Sequence, residues 1–224
     1  MLEEKLNHIK HELINYANLV EGMIDKSIQG LLKKDKNLLN VLIEQDEKRS
    51  NEYELELDEL CTHLIAQHEP KAKDLRAVLM IYKINKDLER MADHTVNIAE
   101  SGLFLIAKPS LKPLIDIPRM AALTAKMVKD SIDSFVREDA TLARNVCLRD
   151  NDVDQLWEQI FRELVTFMIA DVTSIERSLN LIRIAHNLER IADLSTNVGE
   201  DVIFMVEGKV VTHHKEELNS TEGS

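Results

Sequence analysis

Aromatic residues make up only 4% of this 224-residue sequence, which holds six glycines, four prolines and two cysteines. Each shortage excludes something. With so few aromatics, glycines and prolines, and with Leu, Ile, Ala, Glu, Lys and Asp abundant, helix is favoured over sheet. Cys61 and Cys147 both fall inside helical patterns, which suits a reducing compartment rather than a disulfide framework. No 18-residue uncharged apolar run occurs, and the opening MLEEKLNHIKHELI does not have the make-up of a signal peptide. Basic residues are outnumbered, 28 against 40 acids, for a net charge of −12. Nucleic acid and anionic lipid headgroups are therefore poor partners, whereas cations and basic protein surfaces are good ones. The expected location is cytoplasmic, with any membrane contact made only through partners.

What is present is long-range helical periodicity and, at 44% hydrophobic residues, enough apolar surface for a sizeable core. A first helix fits Glu3 to Lys33, with Leu6, Ile9, Leu13, Ala17, Val20, Ile24, Ile28 and Leu31 on one face. A second fits Asn37 to Gln67, before Pro70, and a third Lys73 to Ala107. KPSLKPLIDIP, residues 108–118, holds three of the four prolines and breaks the pattern, a hinge. Three further helices fit Arg119 to Val136, Ala140 to Ile169 and Ile175 to Glu207.

LERMADHTVNIAE at 88–100 returns as LERIADLSTNVGE at 188–200, identical at seven of thirteen positions. Unrelated segments would share about one. DLRAVLMIYKI and SLNLIRIAHNL precede the two copies, and LDELCTHLIA and FRELVTFMIA end the helices before them. The chain is thus read as all-α, two tandem pseudo-symmetric three-helix bundles of six long helices. Residues 1–107 form the first repeat, 108–118 the hinge, 119–208 the second repeat and 209–224 a polar tail.

The repeated segment keeps its acids in register. At about 100° per residue, Glu89, Asp93, Asn97 and Glu100 fall within about 80° of one another. Glu189, Asp193, Asn197 and Glu200 do the same, both strips bordering an apolar side. A companion strip, Asp150, Asp154 and Glu158, opens the fifth helix, and its first-half counterparts are read as Asp46, Ser50 and Glu54. Packed antiparallel, these strips form a carboxylate cluster that needs a cation, either arginine or a hard or borderline metal ion. The alternative is a solvated face, with Arg90 and Arg190 neutralising the neighbours at i−1 and i+3. His94 is read as a surface residue, His186 as an interhelical one, and Tyr82, Trp157 and Phe161 as packing residues. Nothing resembles a phosphate-cradling loop, a nucleophile–base pair or a zinc signature.

Together the two LER segments, PKAKDLRAVLMIYKI, LKPLIDIP and NDVDQLWEQIFRELVTFMIA resemble the PhoU family over nearly the whole chain. That resemblance implies two three-helix bundles and a regulator of phosphate uptake, not an enzyme. Such a regulator acts with a Pst-type phosphate transporter and a PhoR-type histidine kinase and restrains phosphate-starvation signalling. It implies a homodimer and iron or another divalent cation (Mn, Mg or Zn) on E/DxxxD motifs. The implied ligands are Glu89, Asp93 and Asn97 in the first repeat, Glu189, Asp193 and Asn197 in the second, with Asp150, Asp154 and Asp46 from the preceding helices. Arg49-Ser50 departs from the family's usual aliphatic residue followed by Asp or Asn. The competing readings are a carboxylate-bridged metal store or oxidative enzyme, disfavoured by the missing Glu-x-x-His ligands, and a metal-free helical scaffold.

Overall fold

A computed structural model describes residues 2–208; the expected polar tail, 209–224, lies outside the described residues. Seven α-helices follow one another: α1 Leu2–Lys33, α2 Lys36–Val41, α3 Glu47–His68, α4 Lys73–Ile106, α5 Asp116–Arg137, α6 Ala140–Ala170 and α7 Ile175–Glu207. A π-helical turn, Leu42–Asp46, joins α2 to α3 without a break, closed by a Glu47 N–H to Leu42 carbonyl bond, so the helices form six rods. No strand occurs among the described residues. The periodicity placed all six rods to within a few residues. The largest difference is α5, which starts at Asp116 and carries Pro118 in its first turn. Proline fits there because the first N–H groups of a helix have no intrahelical acceptor.

Both repeats turn their first corner with the same chemistry. Lys34 (φ 54°) and Glu138 (φ 52°) take the left-handed conformation that ends a helix. The next residue, Asp35 or Asp139, donates its N–H to a carbonyl of the finished helix. Each aspartate then caps the following helix, accepting from the two backbone N–H groups at its start. At the first corner Leu39 is fully buried between two glycines. A Cβ on Gly30 would lie 2.6 Å from Leu39 Cδ2, and one on Gly102 would lie 3.2 Å from Leu39 Cδ1.

The helices stack in two layers. The front layer runs α3, α4, α7, α6; behind it α1 packs on α3 and α4, α5 packs on α6 and α7, and α1 meets α5. The two copies of the repeated segment, on α4 and α7, cross the centre antiparallel, as Lys83 against Asp201 (2.6 Å) and His94 against Asn187 (2.8 Å) show. One continuous apolar core, from Leu6 on α1 to Ile203 on α7, serves both halves. The segment between α4 and α5 is fastened at several points. Lys112 pairs with Glu163, the Arg177 guanidinium donates to the Pro109 carbonyl at 3.2 Å, and Leu111 and Leu114 pack on the core. Among the described residues no helix is long and apolar enough to cross a membrane.

Candidate functional site

The acid strips of α4 and α7 line two grooves of the front layer, α3–α4 and α6–α7. In the first groove Glu89 is partly buried, and its carboxyl is held above the usual range by burial, then by Asp93 and Glu54, against the pull of Lys86 and Arg90. Asp93, Asn97 and Glu100 are exposed. The groove's cation comes from inside. Lys86 Nζ lies 2.6 Å from both Glu54 Oε1 and Asp58 Oδ2, and the buried Asn85 amide donates to Asp58 Oδ1 (2.9 Å) and the Glu54 carbonyl (2.8 Å). Glu54 and Asp58 stand four residues apart, a further ExxxD on α3.

Asp46 is engaged elsewhere, in an ion pair with Lys26 of α1. Ser50 is buried and shares a hydrogen bond with the Tyr16 hydroxyl at 2.7 Å. The Tyr16 ring stacks on Tyr53 at 5.4 Å, and the Arg49 guanidinium caps Tyr53 at 4.1 Å. The Arg49-Ser50 departure thus places a small hydroxyl in the core, against a tyrosine.

In the second groove Glu189 is half-buried. Its carboxyl is raised by burial first and Asp193 next, opposed by Arg190, with Asp154 adding to the rise. Glu189 Oε2 accepts no hydrogen bond, although His186 Nδ1 stands 3.2 Å away and Arg190 Nε 3.7 Å. Arg190 also reaches Asp193 at 3.1 Å. Burial, then Glu200 and Asp150, push the Cys147 thiol up to about 12, which places those two acids around the upper part of the same groove. The structure therefore strings Asp150, Asp154, Glu189, Asp193 and Glu200 along the α6–α7 groove, and leaves Asn197 partly exposed beside them.

In the second groove a buried Glu189 oxygen accepts no hydrogen bond, which fits a cation, and Arg190 already stands beside both Glu189 and Asp193. In the first groove the Lys86 ammonium is paired with Glu54 and Asp58. As the side chains stand, no three His, Cys, Asp or Glu among the described residues converge on a point that would hold an ion.

A sequence model described as the PhoU domain matches the chain twice, at residues 13–102 and 117–202. The chain belongs to the PhoU family. It is 39% identical to the phosphate-specific transport system accessory protein PhoU homolog of Aquifex aeolicus, over 95% of this chain and 96% of that protein. The corresponding Deinococcus radiodurans homolog is 36% identical over 92% and 97%. Among solved structures, PhoU from Pseudomonas aeruginosa superposes with a TM-score of 0.88 at 31% identity, covering 93% of this chain and all of that one. The phosphate transport system regulatory protein PhoU from Streptococcus pneumoniae gives 0.87 at 26%, over 95% and 100%. The six-rod helical fold is thus the family's fold.

Several residue-level expectations are revised. The π turn inserts one residue into the first repeat, so burial beyond it aligns at an offset of 103: buried Ser50, Leu57, Cys61 and Leu64 of α3 follow the spacing of Val153, Ile160 and Leu164 of α6, with Leu64 falling beyond the match. Ser50 therefore corresponds to Val153, and Asn51 to Asp154, where counting by sequence alone gave Asp46, Ser50 and Glu54 for the companion strip. His94 is half-exposed rather than a free surface residue, since its Nδ1 meets Asn187 across the α4–α7 seam. His186 is exposed, and its Nδ1 stands 3.2 Å from Glu189 Oε2 on its own helix. Arg90 reaches back to Asp87 (3.9 Å) rather than forward to Asp93. Tyr82 and Phe161 are exposed, 43% and 40%, and only Trp157 is half-sheltered. Sequence reasoning missed Asp58, Asn85 and Lys86; the second ExxxD on α3 was the available signal.

Proposed function

We propose that this chain is a regulatory adaptor of phosphate homeostasis, coupling a Pst-type phosphate transporter to a PhoR-type sensor kinase as a negative regulator. The observation that carries the reading is the match, through both repeats and nearly end to end, to proteins named phosphate-specific transport system accessory proteins. In this reading the protein works from the cytoplasm, as a homodimer, by contact rather than by chemistry. The grooved front layer, where charged and apolar side chains alternate on rigid helices, supports such a role.

The cation part of the proposal rests on the second groove. Asp150, Asp154, Glu189 and Asp193 would hold iron or another divalent ion, which would supply charge compensation there. Asn197 would border the site; in the first repeat Glu89, Asp93 and Asn97 would form a weaker counterpart, since Lys26 takes Asp46 and the Lys86 charge already faces Glu89. Replacing both Glu189 and Asp193 with Ala is expected to abolish stoichiometric metal uptake and leave the helical circular dichroism unchanged. Metal analysis of the purified variant checks this, and full metal content in it rejects the assignment.

The regulatory reading is tested by deletion of the gene in its host. Phosphate-starvation genes are expected to stay switched on in phosphate-rich medium, read by a phosphate-responsive reporter. Normal repression without the protein rejects the role. In parallel, membrane association is expected to vanish when transporter and kinase are absent, because the net charge of −12 opposes anionic lipid. Binding to pure lipid vesicles would reject the adaptor mechanism.

A further inference from the structure

The first repeat shows how this fold holds a primary ammonium. Lys86 Nζ sits between two carboxylates, Glu54 and Asp58, and 5.4 Å from the centre of the Tyr82 ring. Among the described residues the second repeat has no such internal ammonium. His186 stands in register with Lys86, and by the burial offset Trp157 and Phe161 take the places of Glu54 and Asp58. Those two rings are stacked, with centroids 5.5 Å apart and planes 15° from parallel.

Cys147 Sγ faces the Thr196 carbonyl, and a Cβ on Gly199 would meet it at 3.1 Å. Antiparallel helices advance equally, about 1.5 Å per residue, so this register carries Trp157 to the level of His186 and Glu189. Two features of that level are unfinished. Phe161 is an exposed aromatic face, and Glu189 Oε2 has no hydrogen-bond donor.

We propose that, when no metal ion occupies Glu189, the α6–α7 groove around Trp157, Phe161 and Glu189 is a docking site for a lysine or arginine side chain of a protein partner. The occupant follows from charge complementarity and from the internal example. A net charge of −12 draws a basic surface. An ammonium or guanidinium placed there gains an aromatic face and a carboxylate, as Lys86 does in the other repeat. Arg190, half-exposed, reaches Asp193 at 3.1 Å and stands 3.7 Å from Glu189. The biological identity of the partner rests on the adaptor reading, whereas the binding itself does not.

Trp157 is the only tryptophan, so its fluorescence reports occupancy directly. The full chain, in EDTA to exclude metal, is titrated with a hexalysine peptide, with hexaglutamate as control. A saturable change in Trp157 emission is expected with hexalysine alone. Glu189→Gln is expected to weaken it about tenfold, the loss of one charge-assisted contact. His186→Lys is expected to abolish it, since that side chain restores the internal ammonium of the first repeat. Circular dichroism establishes that both variants are folded. No saturable change, or equal affinity in wild type and both variants, overturns the proposal. A normal reporter response in the deletion strain would instead reject the regulatory reading and leave the docking site standing.

Discussion

Asp87→Asn is expected to make the protein more stable at pH 8 by about 1–2 kcal/mol, raising Tm by roughly 2–8 °C. Asp87 is 7% exposed on the α4–α7 seam, and its Oδ2 is buried without a hydrogen-bond partner. Burial pushes its carboxyl up to about 6; Lys83 and Arg90 oppose the rise and Asp201 adds to it. An acid whose folded pKa exceeds its unfolded value weakens the folded state when ionised. The penalty is absent below about pH 4, grows between about 4 and 6, and is complete above 6, where two units correspond to about 3 kcal/mol. Asn removes the charge and can donate toward Asp201, but forgoes attraction to Lys83 and Arg90, hence the smaller net gain. Wild-type Tm should therefore fall relative to that of the variant as pH rises from 4 to 7. Thermal melts across that range check it, and parallel Tm–pH curves for the two proteins would refute this account of the seam.

Leu39→Ala is the change with the largest expected loss, about 3–5 kcal/mol, or a drop in Tm on the order of 10 °C. Leu39 is fully buried, and its branched end occupies the space that side chains on Gly30 and Gly102 would otherwise fill. With glycine on both sides, the two flanking helix surfaces offer no side chain of their own to fill the cavity, which places the cost toward the upper end of the range for leucine truncation. Leu38→Ala, one residue earlier and less buried, is the control and should shift Tm by far less. Denaturant unfolding of the two variants decides it. Similar midpoints would mean the corner is not packed as described.

Much of the fold was legible because a helix writes its buried face at a fixed spacing. Leu6, Ile9, Leu13, Ala17 and Val20 mark the inner side of α1 whatever packs on it, and all of them are buried. The acids could be placed for the same reason, since Glu89 and Asp93, or Glu189 and Asp193, share a strip on any helix. Their surroundings could not. Lys86 reaches Glu54 and Asp58 across 32 and 28 residues, and Lys26 takes Asp46 across 20. Such pairings depend on which helices become neighbours.

The sequence by itself determined an all-helical chain written twice, the placing of its six rods and the duplicated acid strips, since these follow from periodicity and from identity between segments. Only the tertiary structure decided that the two repeats share one core with α4 and α7 at its centre, because a helix's apolar face specifies burial but not a partner. It also decided how the two halves differ. A single inserted residue in the π turn changes which side chains of α3 face α4, since each residue adds about 100° of rotation. That shift, with lysine at 86 and histidine at 186, places an ammonium between carboxylates in one groove and stacked aromatic rings in the other.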